Sequence, residues 1–340
     1  MNNIPLIEEH IMDDVSKNIF RNRIKYNGGD ISKIDKILET VYGGKELLNF
    51  FKKYEGNLYI FGAGILGKEF LDTFLGSEHH FSAFIDNDAK KQGTFIRDIP
   101  VIGIDELPLI KSDIGIILVN KFHFHDIKIQ LLKYGFKESQ IFNFSKYYLQ
   151  LNYQQYFDIE YIDKEEAVDF VDCGALDGNT SIIANKWLKA IENIWIFEPD
   201  KQNIEKCREN LSKLRCNIEI INKAVWSCNT VLKFNESGNG MSGVDESGEQ
   251  SVEATYLDSV LKKNNKLYIK MDIEGAELQA LQGAEKTIRG CKPNLAICVY
   301  HKTKDIEEIP LLLLKYNPDY KFYFRHYSLT KNETVLYAIS

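Results

Sequence analysis

Two glycine-bearing turns each follow a short apolar run and precede a helical pattern, and both could bind a nucleotide-type cofactor. One reads VDCGALDGNT at residues 171–180, and the other reads IFGAGILGKE at residues 60–69. Glycine lets a backbone approach a ligand closely, and the amides at the following helix N-terminus attract an anion. The residues around each turn must therefore indicate which cofactor it binds.

Acidic residues stand at the predicted strand ends of the second half of the chain. Asp172 ends the first strand, Glu198 ends the second, and Asp272 and Glu274 follow the fourth. Ligands of open parallel sheets bind outside the carboxyl ends of the strands. An acid directly before the glycine turn would repel a pyrophosphate and attract a cation. The pattern favours S-adenosylmethionine, which carries a sulfonium, an ammonium and one carboxylate but no phosphate.

Each part of this cofactor has a predicted partner. Asp172 suits the positive end, the amides near the start of the helix suit the carboxylate, and Glu198 suits the two ribose hydroxyls. The alternative is that the glycines serve only a tight turn with Asp177 or Asn179 as a helix cap, and that Glu198 is a solvated strand end. The predicted cofactor-binding residues are Asp172, Gly174, Ala175, Gly178, Asn179, Thr180, Glu198, Asn222, Ala224 and Asp272.

A resemblance to a known family rests on motifs that occur in order over about residues 155–340. They are FVDCGALDGNT, IFEPD, NKAV, VEATYLDSV, YIKMDIEGAELQALQGA, PNLAICVYH and RHYS followed by ETVLYA. Together they resemble the FkbM family of S-adenosylmethionine-dependent methyltransferases, and KMDIEGAE is the most specific of them. The resemblance implies a class I methyltransferase sheet and O-methylation, often of sugars on polysaccharides, glycolipids or natural products. Its motif positions correspond to Asp172, Gly174, Glu198, Asp272, Glu274 and His301.

Methyl transfer to a hydroxyl requires a base within hydrogen-bond reach of that hydroxyl. His301 is the first candidate because an imidazole ring can be neutral at pH 7, and Asp272 is the second. Glu274 and His326 are predicted to bind sugar hydroxyls of the substrate. The alternatives are a solvated histidine at a strand end and acids that only favour a helix N-terminus. Carboxylates and imidazole could also bind a divalent metal, but no short ligand spacing supports one, and we predict no metal.

Hydrophobic patterns define the elements that position these residues. The strands predicted for the C-terminal unit are AVDFVD, NIWIFEPD, NIEIINKAV, KLYIKMDI and NLAICVYH, with KFYFRHYS and ETVLYAIS as a final antiparallel hairpin. The fold class is therefore α/β, with two Rossmann-like units and a helical N-terminal segment. The predicted domains are a helical segment at 1–53, a small Rossmann-like domain at 54–145, a connector at 146–167 and a methyltransferase domain at 168–340. The N-terminal helices are expected to pack on the molecule or to form an interface, such as that of a homodimer.

Composition limits the function classes. The 340 residues carry a net charge of -7, which argues against a nucleic-acid partner. The six cysteines are scattered singly, which argues against a zinc ribbon or a disulfide framework. The sequence shows no signal peptide and no apolar run long enough to span a membrane, so we expect a soluble, cytoplasmic protein. The expected partner is a sugar-containing small molecule or a glycan.

The first turn fits a dinucleotide fingerprint, since Asp86 follows Gly62, Gly64 and Gly67 by about 20 residues. We expect this domain to handle substrate or to act as a scaffold, with NAD binding as the alternative. Two other functions stay open: a nicotinamide-dependent sugar oxidoreductase and a non-catalytic cofactor-binding module. A Gly- and Ser-rich stretch at 236–251 is interpreted either as a lid over the substrate or as a plain surface loop.

Overall fold

The computed structural model describes residues 3–108, 113–235, 243–244, 250–261 and 266–340. Contacts within the chain divide it into two units. The larger unit comprises Met1–Lys17, Gln155–Arg325 and Thr334–Ser340, and the smaller unit comprises Asn18–Gln154 and His326–Glu333. The helical segment predicted at 1–53 is therefore shared between the two units. Its helices are α1 (Ile4–Glu9), α2 (Asp14–Asn27), α3 (Lys33–Leu38) and α4 (Gly44–Lys53).

The smaller unit has the alternating strands and helices that its sequence predicts. Its elements are β1 (Leu58–Phe61), α5 (Ile65–Phe74), β2 (Phe81–Ile85), β3 (Phe95–Ile96), β4 (Ile99–Ile102), β5 (Gly115–Leu118), α6 (Phe124–Lys133), β6 (Ile141–Asn143) and α7 (Phe144–Gln154). The sheet order is β3-β4-β2-β1-β5-β6, and β1 pairs in parallel with both β2 and β5. Because β1 and β5 are fully buried, their apolar runs identified them in the sequence. The short hairpin of β3 and β4 was not predicted.

The larger unit contains the remaining elements. Its helices are α8 (Asn179–Trp187), α9 (Lys201–Leu211), α10 (Leu257–Val260), α11 (Glu277–Gln282), α12 (Glu285–Cys291) and α13 (Asp305–Tyr316). Its strands are β7 (Val168–Cys173), β8 (Ile191–Phe197), β9 (Asn217–Ile221), β10 (Ala224–Val225), β11 (Thr230–Asn235), β12 (Gly243–Val244), β13 (Gln250–Thr255), β14 (Leu267–Met271), β15 (Asn294–Cys298), β16 (Lys321–His326) and β17 (Thr334–Ile339).

The main sheet of the larger unit has the order β16-β17-β15-β14-β7-β8-β9. The strands from β15 to β9 pair in parallel, whereas β17 pairs antiparallel with β15. This arrangement confirms the predicted α/β fold class, with five parallel strands and a reversed terminal strand. The order reverses at β7, so the carboxyl ends of β7 and β14 lie side by side at the switch point, where ligands of such sheets bind.

A second, smaller sheet of order β10-β13-β11-β12 was missed by the sequence analysis. The run NIEIINKAV, predicted as one strand, is divided between β9 in the main sheet and β10 in this sheet. Residues 230–233 of β11 and the first half of β13 are largely exposed, and Val231 on β11 retains 64% of its accessible surface. Exposed strands lack the apolar runs on which the prediction relied. Most of the 236–251 stretch, predicted as a lid or a loop, lies outside the described residues.

The predicted connector at 146–167 consists of two different parts. Its first residues belong to helix α7 in the smaller unit, and the remainder belongs to the larger unit. There, Phe157 is buried against Phe170, Trp187 and Tyr268. Tyr156 and Phe157 of this segment are therefore part of the core, whereas Tyr153 and Tyr161 are exposed. Within the described part of the chain, no helix is long and apolar enough to cross a membrane.

Candidate active site

The glycine turn after β7 packs directly against the backbone that follows β14. Gly174 has φ +80°, and a Cβ atom there would lie 1.9 Å from the carbonyl oxygen of Asp272. The Asp272 amide donates a hydrogen bond to the Cys173 carbonyl at 3.1 Å. Only glycine allows this backbone conformation and this approach together. The turn predicted to bind the cofactor and the loop predicted to perform the chemistry are therefore joined at the switch point.

Residues after the turn form the start of α8. Gly178 is buried, whereas Asn179 is exposed and Thr180 is partly exposed. The Asp177 carboxylate accepts hydrogen bonds from the Asn179 amide at 3.0 Å and from its Nδ2 at 2.6 Å. These bonds fix the turn before α8, whereas the N-cap position itself is Gly178 and has no side-chain cap, unlike the alternative in which Asp177 or Asn179 caps the helix. Asn179 and Thr180, the residues predicted to bind a carboxylate, lie in the first turn of α8.

Asp172 does not present its charge to the mouth of the sheet. Its side chain is fully buried, with Oδ1 3.0 Å from Lys270 Nζ and Oδ2 accepting a hydrogen bond from Ser181 Oγ at 2.7 Å. The predicted contact between this carboxylate and a positive ligand group is corrected, because its charge is compensated by Lys270. Burial acts to lower the pKa of Lys270, but the carboxylates of Asp172 and Asp272 hold that pKa above its ordinary value.

Glu198 follows β8 and reaches the glycine turn. Its Oε2 accepts the Leu176 amide and its Oε1 accepts the Asp200 amide, each at 2.9 Å. Burial raises the pKa of Glu198, although both amide bonds act to lower it. Asn222 braces the same loop through bonds from Nδ2 to the carbonyls of Glu198 and Pro199, each at 2.9 Å. Of the other predicted cofactor residues, Ala175 is buried in the turn and Ala224 is buried on β10.

His301 lies among carboxylates from the loop that follows β14 and from the first residue of α11. Its Nδ1 is 2.9 Å from Glu277 Oε1. Its Nε2 is 3.5 Å from Asp272 Oδ1 and 3.6 Å from Glu274 Oε2. The structure therefore brings together His301, Asp272 and Glu274, as the sequence predicted. Glu277 was not singled out, although it stands in the same DIEGAE motif and begins α11.

The carboxylates around His301 affect the pKa of its ring. Burial lowers the pKa of His301, but the hydrogen bond and charge of Glu277, together with Asp272 and Glu274, outweigh it and raise that pKa to about 10. This shift favours the protonated ring, in which both nitrogens are donors, and the role of His301 as the base stays a prediction. Burial acts to raise the pKa of Asp272, but Lys270, His301 and Tyr156 hold it below the ordinary value.

Tyr156 is a site residue that the sequence analysis missed. Its hydroxyl donates a 2.8 Å hydrogen bond to Asp272 Oδ2, and its backbone has the unusual φ of +75°. Its amide donates to the Tyr337 hydroxyl at 2.9 Å, and its carbonyl accepts from the Tyr268 hydroxyl. No local signal could have identified it, since Tyr156 precedes the first strand of the unit and lies 116 residues before Asp272.

His326 does not join this cluster. It belongs to the smaller unit, is buried, and has Nε2 2.8 Å from the Thr330 carbonyl. Burial, with a contribution from the positive charge of Arg23, lowers the pKa of His326 to about 3. A buried ring that is bonded to its own loop has no free group for a substrate. The predicted role of His326 in binding sugar hydroxyls is therefore wrong.

The first glycine turn is held by contacts within the smaller unit. Gly62 has φ +120°, and a Cβ there would lie 2.3 Å from the Val119 carbonyl, while one on Gly67 would lie 1.9 Å from the Gly62 carbonyl. Asp86 Oδ2 accepts the Ala63 amide at 2.9 Å and pairs with Lys91 at 3.0 Å. The acid expected to meet a ribose hydroxyl is thus used to fix the turn. Gly64, by contrast, faces open space.

A cavity of about 360 Å³ lies beside this turn. Its lining comprises Phe61, Gly62, Asp86, Asn87, Asn120, His123, Asp126, Ile127 and Gln130. Nucleotide binding by Gly62, Gly64, Gly67 and Asp86 stays a prediction.

One group of potential metal ligands coincides with the His301 cluster. Ligand atoms of Asp272, Glu277 and His301 all lie within 4.8 Å of one another. Carboxylate and imidazole groups suit several divalent ions. The absence of a metal in the reaction stays a prediction, which a binding experiment has to decide.

Two family models match the sequence. The methyltransferase FkbM domain matches residues 172–322. The model described as C2185-like, N-terminal matches residues 54–142. A search of the curated proteins found no match.

Solved structures with a similar fold include a methyltransferase FkbM from Methylobacillus flagellatus KT. It is 17% identical, with a TM-score of 0.56 over 95% of this chain and 99% of that chain. A SAM-dependent methyltransferase from Aquifex aeolicus is 16% identical, with a TM-score of 0.32 over 58% of this chain and 98% of that chain. Fibrillarin from Aeropyrum pernix, with natively bound S-adenosyl-L-methionine, is 12% identical, with a TM-score of 0.35 over 57% of this chain and 76% of that chain. The first similarity agrees with the fold described above.

Proposed function

Since the larger unit of this chain belongs to the FkbM methyltransferase family, we propose that the protein transfers a methyl group from S-adenosylmethionine to a hydroxyl of a sugar or glycan. The acceptor is a polysaccharide, a glycolipid or a nucleotide-sugar precursor. The single observation that carries this proposal is the junction of the Gly174 turn with the Asp272 loop at the switch point, beneath the His301 cluster.

The residues at this edge of the sheet fit S-adenosylmethionine. The cofactor supplies a methyl group that is already activated by its sulfonium. Because Gly174 has no side chain, the turn packs on the Asp272 backbone, which brings both loops to the carboxyl edge of the sheet where the cofactor would bind. Glu198 accepts the Leu176 amide of the turn, which supports its assignment to the ribose hydroxyls of a ligand beside that turn. Asn179 and Thr180 begin a helix whose amides favour a carboxylate. Backbone amides and the Glu198 carboxylate, rather than the compensated charge of Asp172, provide this fit.

The acceptor side of the site favours a neutral polyol. Asp272 and Glu274 are carboxylates that can accept hydrogen bonds from hydroxyls, and their side chains retain 26% and 35% of their accessible surface. A phosphate backbone placed against them would be repelled, and the net charge of -7 offers no compensating basic face. Transfer requires the acceptor oxygen to lie about 3–3.5 Å from the methyl carbon.

Calorimetry with purified protein tests cofactor choice. We expect binding of S-adenosylmethionine and S-adenosylhomocysteine and a weaker response, or none, to NAD. Binding of NAD alone would favour the oxidoreductase alternative. Transfer of a radiolabelled methyl group is then measured against nucleotide sugars, sugar phosphates and glycolipids. Cofactor binding without transfer to any member of this panel would contradict the proposed acceptor class and favour a non-catalytic binding module.

A further inference from the structure

We propose that Glu274, rather than His301, accepts the proton of the acceptor hydroxyl, and that His301 is a positively charged positioning residue that orients Glu274 and Asp272. The inference rests on the proposed function, because it concerns the same transfer. It assigns to Glu274 a catalytic role that differs from the substrate-binding role suggested by the sequence alone.

Geometry argues against His301 as the base. Both of its ring nitrogens face carboxylates, with Glu277 at 2.9 Å on Nδ1 and Asp272 at 3.5 Å on Nε2. Its side chain is only 8% exposed. A ring placed between anions is stabilised in its doubly protonated form, in which both nitrogens are donors. Such a ring can hold carboxylates in place, but it cannot take a proton from a hydroxyl.

Glu274 has the position that a base requires. Its side chain is 35% exposed, the largest exposed fraction among the members of the cluster, so an acceptor can reach it. Its backbone has φ +54° and is followed by Gly275 at φ +90°. A residue other than glycine rarely adopts this conformation, and such residues cluster at active sites. The loop therefore holds Glu274 at the mouth of the sheet beside the glycine turn.

Burial and the neighbouring carboxylates also favour a proton on Glu274. Burial raises the pKa of Glu274 to about 7, with Asp272 and Glu277 acting in the same direction and His301 and Lys270 acting against them. A base whose pKa lies close to the working pH is the most effective proton acceptor.

Two further groups bear on the same cluster from neighbouring segments. The Tyr156 hydroxyl donates to Asp272. Asp305 begins α13 and accepts the Lys302 amide at 3.1 Å. Burial and the charge of Glu277 raise the pKa of Asp305 to about 6, while Lys302 and His301 act to lower it. With an exposed fraction of 2%, Asp305 is less accessible to an acceptor than Glu274.

The proposed step is balanced in atoms and charge. The acceptor oxygen forms a bond to the methyl carbon while the carbon–sulfur bond breaks, and its electron pair stays on sulfur. The proton of the hydroxyl moves to a carboxylate oxygen of Glu274. His301 keeps both of its protons throughout and so maintains the orientation of the carboxylates.

Nitrogen-15 NMR of the histidine rings tests the charge state without any turnover. The His301 signals are identified by their loss in His301→Gln. We expect an imidazolium from pH 6 to pH 9 in the free protein, and a lower ring pKa in Glu274→Gln because one carboxylate has been removed. Glu219→Gln, which changes an exposed carboxylate on β9, should leave the ring unchanged. A neutral ring at pH 8, with or without added Mg²⁺ or Mn²⁺, overturns the proposal.

Kinetics of two variants separate the two candidate bases. Glu274→Gln should lower kcat by about 10²- to 10⁴-fold, abolish the acidic limb of the pH profile near 7, and leave binding of S-adenosylhomocysteine unchanged. His301→Gln should lower kcat by less than Glu274→Gln, because the carboxylates lose their orientation, and should keep the acidic limb at a higher pH, because the cation that lowers the Glu274 pKa is gone. If His301 is the base, His301→Gln loses the acidic limb of the pH profile and Glu274→Gln keeps that limb.

A third variant distinguishes loss of the Glu274 carboxylate from misfolding of the protein. Glu274→Asp keeps the carboxylate and should keep the acidic limb at a reduced rate, with circular dichroism unchanged. Wild-type activity in Glu274→Gln overturns the proposal. Failure of the wild-type protein to bind cofactor or to transfer a methyl group contradicts the proposed function instead. The NMR experiment determines the charge of His301 whether or not methyl transfer is observed.

Discussion

Lys270 and Asp172 are register partners on the adjacent strands β14 and β7, and their side chains form a buried ion pair with a distance of 3.0 Å from Nζ to Oδ1. Lys270 also donates a 2.6 Å hydrogen bond to the Gly174 carbonyl. The pair therefore fixes the turn that begins the cofactor site. The sequence suggested Asp172 as the partner of a positive ligand group. In the structure Asp172 instead helps to fix the backbone turn that the ligand would contact.

Lys270→Met should destabilise the protein strongly. The substitution leaves Asp172 buried without a counter-charge, and breaking such a pair costs about 3–5 kcal/mol of the free energy of unfolding. Urea denaturation followed by circular dichroism measures this loss. The double variant Lys270→Met/Asp172→Leu should recover much of it, because a buried ion pair can often be replaced by apolar side chains at little cost.

The matched control for this prediction is an exposed pair. Lys292 and Asp319 lie 3.1 Å apart with side chains 51% and 74% exposed. Lys292→Met should change the free energy of unfolding by no more than about 1 kcal/mol. Equal losses in Lys270→Met and Lys292→Met would show that the burial of the Asp172 pair has no energetic consequence.

Gly174→Ala should damage both the fold and the cofactor site. The new Cβ would meet the Asp272 carbonyl at 1.9 Å in a backbone conformation with φ +80°, so the two loops must separate. We expect a lower melting temperature and weaker binding of S-adenosylhomocysteine. Gly290→Ala is the control, because a Cβ at Gly290 of α12 meets nothing within 4 Å. Alanine in a helix is favoured over glycine by about 1 kcal/mol, so a similar loss in both variants would contradict this explanation.

The main sheet could be predicted because its central strands are buried on both faces. The strands β7 and β14 are apolar runs of the kind that parallel sheets require. The helical patterns between such runs indicated that the strands are parallel. The second sheet could not be predicted in the same way, since β11 and β13 are largely exposed and carry little apolar pattern. Hydrophobic periodicity arises from burial, so it cannot identify a strand that is largely exposed.

The environment that sets the charges of the candidate site residues could not be predicted from the sequence either. Asp272, Glu274 and His301 follow predicted parallel strands, and the carboxyl ends of such strands meet at one edge of the sheet. The sequence therefore indicated that the three residues lie close together. It did not reveal that His301 is surrounded by carboxylates, because that depends on Glu277 from α11 and on loop conformation. It also gave no indication of Tyr156, which reaches Asp272 from outside the strand pattern. Residue type and spacing identify candidates, whereas three-dimensional contacts determine their protonation.

Glu198→Gln should weaken binding of S-adenosylhomocysteine severalfold. The carboxylate is the proposed acceptor for the ribose hydroxyls, and a neutral amide accepts hydrogen bonds less strongly than a charged group. The variant also changes the bonds to the Leu176 and Asp200 amides, so its melting temperature has to be measured beside its affinity. Glu209→Gln, which alters an exposed position on α9, is the control. Unchanged affinity in the folded Glu198→Gln protein would remove Glu198 from the cofactor site.

His326→Phe should change the pH dependence of stability without changing methyl transfer. The folded-state pKa of His326 is about 3, whereas an unperturbed histidine has a pKa of about 6.5. Between these values the unfolded chain binds a proton that the folded protein excludes, so the free energy of unfolding falls as the pH is lowered from about 6.5 towards 3. Removing the ring removes this contribution, so the variant should show a shallower loss between pH 7 and pH 4 in urea denaturation. His125→Asn, at an exposed position on α6, should keep the wild-type slope. An unchanged slope in His326→Phe, or a fall in kcat, would contradict the assignment of His326 to the core of the smaller unit.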